Sequence, residues 1–135
     1  MVINVTEALV AVDVNSGSAT RERSIEETAF KTNLEAAEET ARQLKLRDLA
    51  GLIVVDFIDM EEARNNRSVE RRLRDSFAFD RARTQMGRIS AFGLMEFTRQ
   101  RLRPSLLEAS SHICPYCIGS GRVRSSESLV MQALR

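Results

Sequence analysis

The sequence has few cysteines, prolines and aromatic residues: its 135 residues include two Cys, two Pro, one Tyr and no Trp. No apolar run approaches the roughly 20 residues that a membrane-spanning helix requires, and the N-terminus lacks the pattern of a signal peptide. These absences favour a cytoplasmic protein. The two Cys lie in one Cys-x-x-Cys motif, which argues against a disulfide framework and for metal or redox chemistry.

The net charge of +1 conceals two halves of opposite sign. Residues 1–62 carry 4 Arg and 2 Lys against 13 acidic residues, a net charge of −7, whereas residues 63–135 carry 14 Arg against 6 acidic residues, a net charge of +8. An acidic half followed by an Arg-rich half fits a metal site beside a site for a polyanion. A solvated charged surface explains the same composition equally well.

Two apolar runs with β-branched residues, Glu7–Asn15 and Gly51–Ile58, predict buried strands. Between them, Ser24 and Glu27 form a capping box that begins a helix ending at about Leu46. A connection of this length allows the two strands to be parallel, and their continuous apolar character predicts a sheet that is covered on both faces. We therefore predict an α/β fold built on a parallel strand–helix–strand unit.

One more helix and two more strands are predicted in the second half. Asp59 and Glu62 form a second capping box, and the strands are predicted at Arg83–Ile89 and Leu94–Arg99 with a bend at Gly93. The apolar face of the helix after the capping box is formed by Val69, Leu73 and Phe77.

Each predicted central strand carries an acidic residue near its C-terminal end, Asp13 in the first and Asp56 in the second. If the strands are parallel neighbours, both carboxylates lie at the edge where open α/β sheets bind ligands, and Asn15 projects from the same face as Asp13. Two carboxylates and waters can hold Mg²⁺, which promotes in-line displacement at a phosphodiester. The apolar strands favour this interpretation because an unpaired buried charge is costly. A structural hydrogen-bond network is the alternative, and helix capping explains Asp59 better than metal binding does.

Three long segments resemble the ribonuclease E/G family: EALVAVDVNSGSATRE (7–22), IEETAFKTNLEAAEETARQLKLRDLAGLIVVDFIDM (25–60) and CPYCIGSGRV (114–123). Because they agree in order and spacing, the resemblance is specific and covers nearly the whole chain. It implies a DNase I-like catalytic subdomain at residues 1–104, an α/β fold whose mixed sheet is flanked by helices. It further implies a zinc-link at 105–125 and the start of a C-terminal helical small domain at 126–135, where a short helix is predicted from Ser126.

The resemblance implies that Asp13 and Asp56 bind the catalytic magnesium and that Asn15 orients the site. The implied reaction is hydrolysis of single-stranded RNA, often A/U-rich, leaving a 5′-monophosphate and a 3′-hydroxyl, in RNA decay and in the maturation of ribosomal and transfer RNA. Family proteins carry an S1 domain, a 5′-end sensing region and an RNase H-like region upstream. We therefore expect a fragment without its own means of RNA capture. The alternative is a non-catalytic, zinc-linked oligomerisation module.

Cys114 and Cys117 are followed by Gly119 and Gly121, so two thiolates flank a tight turn and form half of a tetrahedral zinc site. One chain cannot complete a four-cysteine site, but two chains can when the ion lies on a symmetry axis. The resemblance implies this arrangement, a zinc-linked homodimer that could pair further into a homotetramer. His112 is an alternative ligand from the same chain, and a redox role is a weaker alternative.

Two groups of arginines could contact the phosphates of RNA. Arg99, Arg101 and Arg103 alternate, which predicts an RNA contact on one face of an extended segment. The second group recurs at helical spacing, and a solvated helix face with ion pairs such as Glu70–Arg74 explains it better. This second group consists of Arg64, Arg67, Arg71 and Arg74.

Overall fold

The structure of the protein, a computed structural model, describes residues 1–15, 25–101, 103 and 114–119. The chain divides into two units, Met1–Ser105 and Leu106–Arg135. The described part of the second unit is the turn at residues 114–119. The predicted capping residue Ser24 and the predicted helix from Ser126 lie outside the described residues. Within the described ranges, none of the helices has both the length and the apolar character needed to cross a bilayer.

The first unit contains five strands and two helices among its described residues. In chain order these are β1 (Val2–Val5), β2 (Val10–Asp13), α1 (Ile25–Leu46), β3 (Gly51–Asp56), α2 (Ala63–Ser76), β4 (Thr84–Ile89) and β5 (Leu94–Arg99). The strands form one sheet in the order β1-β2-β3-β5-β4, in which β2 and β3 are parallel and the other neighbours are antiparallel. The structure confirms the predicted mixed sheet and its parallel β2–α1–β3 unit.

The strand predicted at Glu7–Asn15 is shorter in the structure, where β2 ends at Asp13 and begins only at Val10, because the chain turns between Thr6 and Leu9. The Thr6 hydroxyl donates to the Leu9 carbonyl at 2.7 Å and accepts the Leu9 N–H at 3.0 Å. A short side chain that bonds nearby backbone groups in this way competes with strand pairing. The residues before the turn form β1, an edge strand that the sequence analysis missed and that pairs with β2.

The sheet is covered by helices on one face only, so the prediction of cover on both faces is wrong for the described residues. Alternate residues of β2, β3 and β5 are buried, and they pack with small residues of α1 and with Val69 and Leu73 of α2. Among the described residues, no helix packs on the other face of these strands, where Leu52 and Leu94 are each 39% exposed. An apolar run shows that a strand is packed, but it does not show on how many faces. The buried apolar residues of these strands are Val10, Val12, Ile53, Val55, Met95 and Phe97.

The helix α2 begins at Ala63, three residues later than the predicted capping box of Asp59 and Glu62 implied, and its cap is not the predicted one. Glu62 is the N-cap residue and makes no side-chain capping hydrogen bond, and Asp59 lies four positions before the first helical residue. Instead, the Glu26 carboxylate of α1 accepts the N–H groups of Glu61 at 2.9 Å and Glu62 at 3.3 Å. It also accepts the Asn65 amide at 2.6 Å. Hydrogen bonds from Glu61 and Asn65 lower the pKa of Glu26 from its ordinary value.

Candidate functional site

Asp13 and Asp56 are register partners at the C-terminal ends of β2 and β3. Because the two strands are parallel neighbours, the backbones lie about 4.8 Å apart, and both side chains project from the open face of the sheet. The Val14 N–H donates to the Asp56 carbonyl at 3.0 Å, so the backbone pairing extends to the last residue of each strand. The two carboxylates therefore face the same side of one sheet edge.

Both aspartates are exposed, which corrects one step of the sequence argument. The free-energy cost of burying an unpaired charge is therefore no argument for a metal ion at this site, because neither carboxylate is buried. What remains is the juxtaposition of two acidic side chains. The Asn15 amide donates to Asp13 Oδ2 at 3.4 Å, a long hydrogen bond, and Asn15 is exposed as well.

The donors at this edge fit a hard divalent cation better than zinc or copper. Mg²⁺ is commonly held by one or two carboxylates, while waters or substrate phosphates complete six oxygen ligands at about 2.0–2.1 Å. Asp13 and Asp56 supply the carboxylates, and their exposure leaves room for the remaining ligands. Within the described part of the chain, this edge included, there is no group of three or more His, Cys, Asp or Glu side chains that could hold an ion, so waters or substrate phosphates would supply most of the ligands.

The segment that follows Asp56 is held by the turn between β4 and β5. The Phe57 N–H donates to the Gly93 carbonyl at 3.1 Å. Gly93 has a φ of +75°, which confirms the predicted bend, and a Cβ at this position would lie 2.8 Å from Asp59 Oδ1 and 3.0 Å from the Phe57 carbonyl. Asp59 thus packs against a glycine and has no capping role.

The cysteine motif forms a tight turn in which backbone N–H groups donate hydrogen bonds to the sulfur of Cys114. Cys114 and Cys117 are both free thiols. Hydrogen bonds from the Cys117 and Tyr116 N–H groups lower the pKa of the Cys114 thiol from its ordinary value. The Ile118 N–H donates to the Cys114 carbonyl at 2.8 Å, and Ile118 and Gly119 have φ values of 51° and 80°. The alternative ligand His112 lies outside the described residues.

Arg99 was predicted to contact RNA on an exposed face, but its side chain is buried and binds other residues of the fold. Its side chain is 6% exposed, and its Nε donates to Asp80 Oδ2 at 2.8 Å, while a second nitrogen bonds Asp80 Oδ1 at 3.2 Å. It also bonds Asp48 at 3.2 Å and the Leu49 carbonyl at 2.9 Å. The alternation along β5 directs residue 99 to the helix-covered face with Met95 and Phe97. Arg99 is therefore bound within the fold and is not exposed to RNA, whereas Arg101 and Arg103 are exposed.

The arginines of α2 are on its exposed surface, as expected for a solvated helix face. Arg64 forms an ion pair with Glu62, and Arg72 forms one with Glu38 of α1. The proposed partner of Arg74 has another role, because Glu70 accepts the Ile89 N–H at 2.9 Å and so joins α2 to β4.

Sequence comparison with known proteins places this chain in a family. The family model described as Ribonuclease E/G family matches residues 1–102. Ribonuclease E of Haemophilus influenzae and ribonuclease E of Escherichia coli are each 62% identical to this chain over all 135 residues. Ribonuclease G of Escherichia coli is 39% identical over the same 135 residues. The chain belongs to the ribonuclease E/G family. It spans 14%, 13% and 28% of the length of these three curated relatives.

Family membership confirms the resemblance that the three sequence segments indicated. The residues matched by the ribonuclease E/G family model include Asp13, Asn15 and Asp56. The pair Cys114 and Cys117 lies beyond that match but inside the 135 residues shared with the ribonuclease E sequences.

The sequence analysis missed one polar residue at the edge of the candidate site. Asn33 of α1 is fully buried and bonds the backbone of Ile58, two residues after Asp56. A signal was present: Asn33, Ala37 and Ala41 recur on the buried face of α1, and a polar residue on such a face needs a hydrogen-bond partner. The identity of that partner, 25 residues away, could not be read from the helix alone.

Proposed function

We propose that this chain forms the catalytic edge of a magnesium-dependent endoribonuclease that hydrolyses single-stranded RNA in RNA decay and in ribosomal and transfer RNA processing. The observation that carries the proposal is the register pairing of Asp13 with Asp56 at an exposed sheet edge. Relatives named ribonuclease E and ribonuclease G support the class of reaction. We propose a cytoplasmic location and a DNase I-like subdomain at residues 1–104.

In this proposal, Asp13 and Asp56 hold the ion through their carboxylate oxygens. Bound Mg²⁺ would supply positive charge that lowers the pKa of water and stabilises the charge developing on the phosphate. The Asn15 amide limits the rotation of the Asp13 carboxylate through its hydrogen bond to Oδ2. Hydrolysis joins the oxygen of water to phosphorus and breaks the P–O3′ bond, and the 3′ oxygen receives a proton. The products are a 5′-monophosphate and a 3′-hydroxyl.

Arg101 and Arg103 are the proposed contacts to the RNA backbone. Both residues are exposed, and a guanidinium can bind a phosphate through two parallel hydrogen bonds. Such contacts bind every sequence alike, so they hold the strand and do not select the cleavage site.

Zinc-linked dimerisation is the second part of the proposal. Cys114 and Cys117 of one chain would supply two thiolates, and the same residues of a second copy would complete a tetrahedral site. The backbone N–H groups that lower the pKa of Cys114 support this role, because metals bind the thiolate. Residues 105–125 would then form the zinc-link, and two such homodimers could pair as a homotetramer.

The cysteine turn by itself also supports a second candidate function, a non-catalytic zinc-linked oligomerisation module. That function needs no paired carboxylates, so the aspartates distinguish the two candidates. The measurement is cleavage of a fluorescent A/U-rich oligonucleotide by the protein at its full native length, with and without Mg²⁺.

Asp13→Asn and Asp56→Asn are each expected to lower kcat by at least about 100-fold, the scale of losing one group that stabilises transition-state charge. Asp75→Asn is the matched control, because Asp75 is an exposed acidic residue at the far end of α2. It should cleave like the unmodified protein. Unchanged cleavage in both aspartate variants would exclude the catalytic proposal and favour the oligomerisation module.

A further inference from the structure

Asn33 lies in the middle of α1, on the face that packs against the sheet. Its side chain is fully buried among apolar neighbours of the core. Burying an amide costs free energy unless its donor and its acceptor both form hydrogen bonds. The hydrogen-bond partners of Asn33 therefore identify the part of the backbone that it holds in place.

Both polar atoms of the Asn33 amide bind one residue, Ile58. Oδ1 accepts the Ile58 N–H at 3.0 Å, and Nδ2 donates to the Ile58 carbonyl at 2.8 Å. This two-point contact resembles the pairing that a neighbouring strand would provide. It occurs where the strand pairing of β3 ends, one residue after Phe57 makes its bond to Gly93.

Ile58 lies between two acidic residues, two positions after Asp56 and one before Asp59. Three residues further on, Glu26 of the same helix accepts the N–H groups of Glu61 and Glu62. The helix α1 therefore holds the segment 57–62 near both of its ends. The direction in which the chain leaves Asp56 is determined by these contacts from α1 and by the bond from Phe57 to the β4–β5 turn.

We propose that Asn33 is a positioning residue that, by clamping the Ile58 backbone, holds the Asp56 carboxylate in register with that of Asp13. The inference rests on the proposed function, since it assigns Asn33 to the support of the proposed ion site. Asn33 touches neither the ion nor the RNA in this scheme. Its effect reaches the ion through the backbone of residues 56–58.

The test compares Asn33→Leu with Thr40→Val in the full-length protein. Leu has nearly the shape of Asn and removes both hydrogen bonds to Ile58. Thr40 is the matched control because it is also a fully buried polar residue of α1, and its hydroxyl lies 3.3 Å from the Met1 sulfur, away from residues 56–62. Both variants lose stability, so a change in stability alone does not count in favour of the proposal.

The deciding readout is the dissociation constant of Mg²⁺, measured by calorimetry without RNA at a temperature where circular dichroism shows every variant folded. Loss of a residue that orients a metal ligand typically weakens binding by about 10–100-fold. We expect at least about a tenfold weaker Kd for Asn33→Leu and an unchanged Kd for Thr40→Val. The Ile58 amide should also lose its protection from hydrogen exchange in Asn33→Leu alone.

If Asn33→Leu does not fold, Asn33→Ala provides the same test, because it also removes both hydrogen bonds to Ile58 and introduces a side chain smaller than the amide. Equal Mg²⁺ affinity of the folded Asn33 variant and Thr40→Val would overturn the inference, as would a weakened Kd in that Asn33 variant although Ile58 stays protected. A separate control, Asp56→Asn, isolates the proposed function: if it binds Mg²⁺ normally, the ion site itself is wrong.

Discussion

Replacing Arg99 with Met would test whether this residue stabilises the fold or contacts RNA. The guanidinium and the Asp80 carboxylate it binds are each 6% exposed, and they share two hydrogen bonds. Burial by itself raises the pKa of Asp80, but hydrogen bonds from Arg99 and from the Ala82 N–H outweigh burial and leave the pKa below its ordinary value of 3.8. Arg99→Met leaves this carboxylate buried without its cation.

Removing one partner of a buried ion pair costs about 3–5 kcal/mol. The lower end applies here, because Asp80 retains the Ala82 N–H at 3.0 Å. For a unit of about 100 residues, a loss of about 3 kcal/mol lowers Tm by about 12 °C. The loss should be full at neutral pH and should shrink as the pH falls through the lowered pKa of Asp80, because the protonated carboxyl no longer needs the cation.

Thermal unfolding followed by circular dichroism gives the Tm, and filter binding of a short RNA gives the affinity. Arg103→Met is the control, since an exposed residue changes stability by about 0.5 kcal/mol or less. The double variant Arg99→Met/Asp80→Leu should regain part of the loss, because no buried charge is left unpaired. The reasoning fails if Arg99→Met unfolds at the same temperature as Arg103→Met, or if it weakens RNA binding at full stability.

Three further predictions concern the metal sites and the RNA contact. The protein should bind about half an equivalent of zinc per chain, and Cys114→Ser should abolish both the zinc and the dimer in mass spectrometry; one equivalent on a monomer would contradict a shared site. Gly93→Ala should cost at least about 1 kcal/mol in urea unfolding, because of its positive φ and the 2.8 Å approach of Asp59 Oδ1; unchanged stability would count against this geometry. Replacing Arg101 and Arg103 with Ala should reduce the slope of RNA affinity against salt by about 2, and an unchanged slope would remove them from the interface.

The pairing of Asp13 with Asp56 could be predicted because its signals are local. Each aspartate ends a run of β-branched apolar residues, and the helix between the runs has the length that a parallel crossover requires. The strands and the helix of the β2–α1–β3 unit could be predicted because each depends on residues that are close together in the sequence. The same holds for the bend at Gly93, which has a positive φ of 75°.

What could not be predicted depends on partners distant in the sequence. The cap of α2 comes from Glu26, which is 35 residues away from the Glu61 N–H that it accepts. The burial of Arg99 depends on Asp80, which lies 19 residues earlier. The alternation of Arg99, Arg101 and Arg103 would place all three on one exposed face only if the segment stayed extended and exposed throughout. The strand β5 ends at Arg99, so the alternation does not continue to the other two residues. Such partners become visible only when the sheet order is known.

The packing of α1 and α2 against one face of the sheet also explains why the two carboxylates are available for an ion. Side chains alternate along a strand, so a shift of one residue exchanges the two faces. Val55 and Phe57 are 0% and 3% exposed on the helix-covered face, which requires Asp56 between them to project from the open face. Asp13 is directed to the same face by the buried residues Val12 and Val14, which are 1% and 7% exposed. The packing that stabilises the sheet therefore determines which two acidic side chains face each other at its edge.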